Sequence, residues 1–153
     1  TSSENIFSIT PKTTYAWQGE ISVMQSSLVG IDGHIHYEYV IPRMGKRVDV
    51  LLVIQNIIFI IEFKVGSDAY DASSITQLVD YTLDLKNFHE GSHHQIICPI
   101  LIATEAHEAT FSLSLEQDNI FEPTYNHQFS CTHFLSYLMQ QYFLVINLLK
   151  TQN

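Results

Sequence analysis

The chain has 153 residues, 46% of them hydrophobic and 12% aromatic, enough for one domain with a single core and too apolar for a disordered segment. Sixteen acidic residues against seven basic give a formal charge of -9, which excludes a broadly basic nucleic-acid-binding surface and leaves room only for a local one. Two cysteines, Cys98 and Cys131, are too few for a disulfide framework or a four-thiolate metal site, so a reducing, cytoplasmic setting is expected.

The start, Thr1 to Gly19, is polar and does not read as a signal peptide. Trp17, Ile21, Met24 and Leu28 then recur at three and four residues, as on one face of a helix. Glu20, next to that stripe, reads either as a solvated helix residue or as a carboxylate directed inward. Gly30, Asp32 and Gly33 break the helix. From His34 to Ile41, Ile35, Tyr37, Tyr39 and Ile41 alternate with His34, His36, Glu38 and Val40, the pattern of a half-buried strand that Pro42 ends. Met44, Gly45 and Lys46 supply a turn. Arg43, Lys46 and Arg47, three of the seven basic residues, fall within five positions just before Asp49. They read either as a solvated turn or as a basic edge able to grip phosphate on an otherwise acidic protein.

The stretch from Arg47 to Lys64 is two apolar runs around a polar Gln55-Asn56 break, with Asp49 in the first and Glu62 and Lys64 closing the second. Charged residues have low strand propensity and are costly to bury unless paired or bound to a metal. If Gln55 and Asn56 form a two-residue hairpin loop, opposed residues have numbers summing to 111, and Asp49 lies across from Glu62. Alternation puts Lys64 on the same face. A three-residue or bulged loop would shift this register. Two opposed carboxylates repel; a divalent cation that prefers oxygen ligands removes the conflict, and a nearby ammonium moderates it.

Strands at about 34–41, 47–54 and 57–65 make a meander whose last two members, apolar on both faces, are central. N-cap candidates between Asp68 and Ser74 precede a helix to about Phe88, with Ile75, Leu78, Val79, Thr82 and Leu85 as its buried stripe and Gln77, Tyr81 and Asp84 on a neighbouring face. Ile96 to Ala103 is a fourth, apolar strand, parallel to the third through a helical crossover. Residues 110–130 carry little pattern beyond a short edge strand at His127 to Cys131. The helix from about Thr132 to Lys150 is apolar almost all round, which implies burial on more than one side and a further partner surface, a second copy of the chain included. Its apolar part is short for a bilayer, so no membrane span is expected. The sum is a single α/β domain over 1–153. A central mixed sheet of four to five strands is flanked by helices on both faces.

Asp49, followed after twelve residues by Glu62-Phe63-Lys64, resembles the Asp…Glu-x-Lys core of the PD-(D/E)xK nuclease superfamily. Gln77-x-x-x-Tyr81 resembles the Gln-x-x-x-Tyr motif of its RecB-like branch. The run Tyr37 to Asp49, with Glu62 to Gly66 and Asp80 to His89, is similar to the N-terminal nuclease-like domain of the DUF2075, or Schlafen-like, ATP-dependent bacterial helicases, a resemblance over about 15–106 that implies a core there and a C-terminal part at 107–153. Val48 stands where the superfamily has a proline before the aspartate. The resemblance implies a restriction-endonuclease-like core that hydrolyses DNA, coupled to a helicase or ATPase partner. It implies Mg²⁺ or Mn²⁺ held by Asp49, Glu62, the Phe63 main-chain carbonyl and Glu20, which matches the first-helix acid of many members. Lys64 would orient the nucleophile or stabilise developing charge, Gln77 and Tyr81 would position DNA or the lysine, and Arg43, Lys46 and Arg47 would contact the DNA backbone. A catalytically silent module on the same fold, binding DNA or a helicase, is the alternative.

Other chemistry has less support. His34-x-His36 and His93-His94 lack the partner spacings of zinc sites. No Walker loop or Gly-x-Ser-x-Gly occurs, and Cys98, inside an apolar strand, reads as structural.

Overall fold

The computed structural model describes residues 18–22, 24–26, 28–107, 113–116, 118–126 and 131–152. Five strands form one mixed sheet in sequence order: β1 (His34–Val40), β2 (Arg47–Ile54), β3 (Ile57–Lys64), β4 (Ile96–Ala103) and β5 (Thr124–Asn126). The first three are antiparallel neighbours, and β4 and β5 add in parallel. Helical residues at 18–22 and 24–26 form α1; α2 is Ala72–Phe88 and α3 is Cys131–Thr151.

The β2–β3 turn sets the register. Gln55 and Asn56 have φ of 50° and 65°, the pair of left-handed residues that a tight type I′ loop needs, and asparagine tolerates that region well. The ladder then runs from Ile54–Ile57 to Val50–Ile61, every pair summing to 111. Asp49 and Glu62 stand at the next step.

Apolar side chains on both sheet faces produce two cores. Val50, Leu52, Phe59 and Ile61 pack with Met24 of α1 and with Tyr142 and Ile146 of α3. Leu51, Ile58, Ile60 and Leu101 pack with Leu78 and Leu85 of α2. Tyr142 anchors α3 through edge contacts to Phe59 and Phe121, with ring centroids at 5.6 and 4.8 Å. The Asp71 carboxylate caps α2 by accepting the Ser74 main-chain N–H at 2.8 Å.

Four expectations change. Ile21 is 36% exposed while Glu20 and Met24, four apart, are buried, so α1 turns its acid inward. Trp17 lies outside the described residues. On α2 the buried positions are Ser74, Leu78, Thr82, Leu85 and Lys86, with Ile75 and Val79 half-buried. The edge strand lies at Thr124–Asn126 and Cys131 begins α3, while residues 127–130 fall outside the description. On α3, Tyr137, Leu144 and Leu148 are exposed, so the described residues do not bury the helix all round.

The alternation of β1 also breaks at Glu38. Ile35 and Tyr37 pack against the α1/α3 core, whereas Tyr39 packs against the α2 core, to which Ile41 belongs. On β2, Val50 and Val48 divide between the two cores in the same way. Pairing continues through the switch, Tyr37 with Val50 and Tyr39 with Val48, so no residue is inserted and Glu38 stands across from Asp49. Glu38 absorbs the reversal with φ of 54°, a conformation L-residues other than asparagine and aspartate seldom adopt.

Candidate metal centre

The site begins where the β2–β3 ladder stops. The Asp49 main-chain N–H donates to Glu62 Oε1 at 3.0 Å, and the Phe63 N–H donates to Asp49 Oδ2 at 2.8 Å. Side-chain oxygens thus satisfy main-chain donors at the parting of the strands. Phe63 meets the site through this N–H. Glu62 is 4% exposed. Burial, and after it Asp49, raises its pKa, while the Asp49 N–H and Lys64 oppose the shift. Asp49 is also raised by burial, against the Phe63 N–H, Lys64 and Arg47.

Lys64 lies two residues beyond Glu62 and donates from Nζ to Gln77 Oε1 at 2.8 Å. An ammonium only donates, so the Gln77 amide must offer its oxygen there and its NH₂ elsewhere. That NH₂ donates to the Tyr81 hydroxyl at 2.6 Å. Gln77 and Tyr81, one turn apart on α2, therefore act as a strut that orients the lysine.

From the other side, α1 brings Glu20, and β1 brings Glu38. One carboxylate oxygen each of Glu20, Glu38 and Asp49 lies within 4.8 Å of the other two. Glu20 is 8% exposed, and no described residue hydrogen-bonds its carboxylate. Its pKa is pushed up to about 8 by burial first, then by Asp49 and Glu38, with Arg47 opposing. Glu62 is outside this triad and joins it through the Asp49 N–H.

The basic residues sit differently. Lys46 pairs with Asp84 at 2.6 Å and Arg47 with Glu38 at 2.5 Å. Arg43 is exposed on the turn, with φ of 67°. His34 and His36 are exposed, and the candidate cation cluster among the described residues consists of carboxylates alone.

Glu38 is the site residue that sequence reasoning missed. Strand alternation placed it among the outward residues of β1, and the break in that alternation leaves no compositional mark. Pairing arithmetic carried across the Pro42 to Lys46 connection, where partners sum to 87, would have put it opposite Asp49.

An all-oxygen donor set that includes a buried carboxylate without a hydrogen-bond partner suits a hard divalent cation. Among the described residues, no helix is long and apolar enough to cross a membrane.

No protein-family model matches the chain, and no curated protein does. A crystal structure of a protein of unknown function, AF1548, is similar over 60% of this chain, at 14% identity and a TM-score of 0.43. The chain spans about half of that protein, 48% of its length. A likeness at this level carries no argument about fold family or function.

Proposed function

We propose that this chain is a metal-dependent nuclease domain with a PD-(D/E)xK, restriction-endonuclease-like core, hydrolysing DNA phosphodiesters with Mg²⁺ or Mn²⁺ and working beside a helicase or ATPase. The observation that carries the reading is the convergence of Asp49, Glu62 and a strutted Lys64 at the open end of one hairpin. Asp49, Glu62, Glu20 and the Phe63 carbonyl would hold the ion. When bound, it supplies a water of lowered pKa and offsets charge at the scissile phosphate. Lys64 keeps a proton donor fixed beside the carboxylates, where it can orient the nucleophile or stabilise developing negative charge. Gln77 and Tyr81 hold that donor in place, and Arg43, Lys46 and Arg47 contact the DNA backbone.

Incubation with single- and double-stranded DNA in Mg²⁺ or Mn²⁺ should give cleavage that falls about a hundredfold or more in Glu62→Ala and Lys64→Ala. No cleavage, or cleavage unchanged in both variants, sinks the reading.

A second reading is a catalytically silent module on the same fold that binds DNA or a helicase partner. It is favoured by the acids already engaging Lys46 and Arg47 and by the exposed Tyr137, Leu144 and Leu148 of α3. Stable association with DNA or a helicase domain without metal-dependent cleavage supports it; binding to neither removes it.

A further inference from the structure

We propose that Glu38 is a ligand of a divalent cation shared with Glu20 and Asp49, and that Arg47 competes with that cation for the Glu38 carboxylate. The inference deepens the metal site of the proposed function and rests on its cation-binding part, not on cleavage. Glu20 adds a second observation to the acidic cluster: the residue is 8% exposed, its carboxylate lies within 4.8 Å of Glu38 and Asp49, and no described residue hydrogen-bonds it. A carboxylate so placed has its oxygens open to a cation.

Two cationic side chains face these acids. Lys64 is committed to Gln77, but Arg47 pairs directly with Glu38, one of the triad's own members. A guanidinium cannot shed its charge, so a cation taking Glu38 as a ligand meets Arg47 as a rival for the same carboxylate. Arg47 then leaves Glu38.

Mn²⁺ titration of the full chain, followed by calorimetry and by the electron paramagnetic resonance of free Mn²⁺, separates direct exchange from mere repulsion. Glu38→Gln should weaken Mn²⁺ binding about tenfold or more, and Arg47→Gln should tighten it by a similar factor. In the Glu38→Gln background, Arg47→Gln should change affinity less than about twofold, because the contested carboxylate is gone. An equal gain in both backgrounds makes Arg47 a distant repelling charge and overturns the competition. Glu38→Gly adopts the positive φ without strain and serves as the second carboxylate deletion should Glu38→Gln not fold. Mn²⁺ binding that Asp49→Asn abolishes while both Glu38 variants leave it unchanged overturns this inference and spares the nuclease reading. Mn²⁺ binding sensitive to Glu38, in a protein that cleaves no DNA, upholds this inference and overturns the nuclease reading.

Discussion

Stability measured against pH tests the buried carboxylates directly. Burial, reinforced by Asp49 and Glu38, moves Glu20 from 4.5 to about 8, and burial with Asp49 moves Glu62 in the same direction. Between the unfolded and folded values, the native chain keeps protons that the unfolded chain has released. Stability must then fall as pH rises through that window, the reverse of a carboxylate held ionised by a salt bridge. One such proton contributes a slope of about -1.4 kcal/mol per pH unit, so Glu20 alone corresponds to at most roughly 5 kcal/mol between pH 4.5 and 8. Relaxation and water entry lower the figure, and a loss of about 2 to 5 kcal/mol is expected. Urea unfolding in EDTA, followed by circular dichroism at steps from about pH 5 to about pH 8, measures it. Glu20→Gln, neutral throughout, should remove a large share of the slope, leaving the part due to Glu62 and Asp49. Mn²⁺ fixed at about a hundred times its Kd near pH 5 should restore about 2.7 kcal/mol there, and more at the alkaline end, where Kd falls because fewer protons must leave the ligands. Stability that is flat or rising across the window, or a slope untouched by Glu20→Gln, refutes the reasoning.

Two further outcomes follow from contacts of the same sheet. Gln77→Ala removes the acceptor of Lys64 and should lower cleavage about tenfold without changing Mn²⁺ affinity, while Tyr81→Phe, which keeps Gln77, should cost less; single-turnover rates compare them. Gly33→Ala would place a Cβ 2.6 Å from the Val53 carbonyl oxygen and 2.9 Å from Ile54 Cγ1, at the first rung of the β1–β2 ladder. Backbone must move to admit it, and a destabilisation of about 1 to 3 kcal/mol is expected from the urea midpoint.

The hairpin was legible because its turn chemistry is local. Gln55-Asn56 dictated a two-residue loop, and the loop dictated every pair up to Val50 and Ile61. The parallel placement of β4 followed from a helix lying between two apolar runs. Glu20 was ambiguous for a physical reason: both Ile21 and Glu20 lie at helical spacing from Met24, and hydrophobicity favours Ile21. The structure buries the acid instead, beside Glu38 and Asp49. The edge strand at 124–126 is three residues long and supported mainly by β4, so its own sequence says little.

Glu38 lies furthest from what sequence can show. Nothing in Tyr37-Glu38-Tyr39 announces that the chain will turn over, because the reversal lives in one dihedral angle rather than in a residue type. A glycine would take that angle at less cost, and a glutamate there costs on the order of 1 to 3 kcal/mol. The reversal changes what surrounds the carboxylate. With regular alternation, Glu38 would share its face with exposed His36 and Val40; at the switch it stands beside Asp49 and within reach of Glu20. The same switch sends Tyr37 and Tyr39 to opposite cores, so each core fixes one flank of the strained residue. The strain is thus held by packing on both sides, and the charge it brings in is met at once by Arg47. Fold and site are joined at this one position: the cores hold Glu38 in a conformation that its own backbone disfavours, and that conformation completes the carboxylate triad.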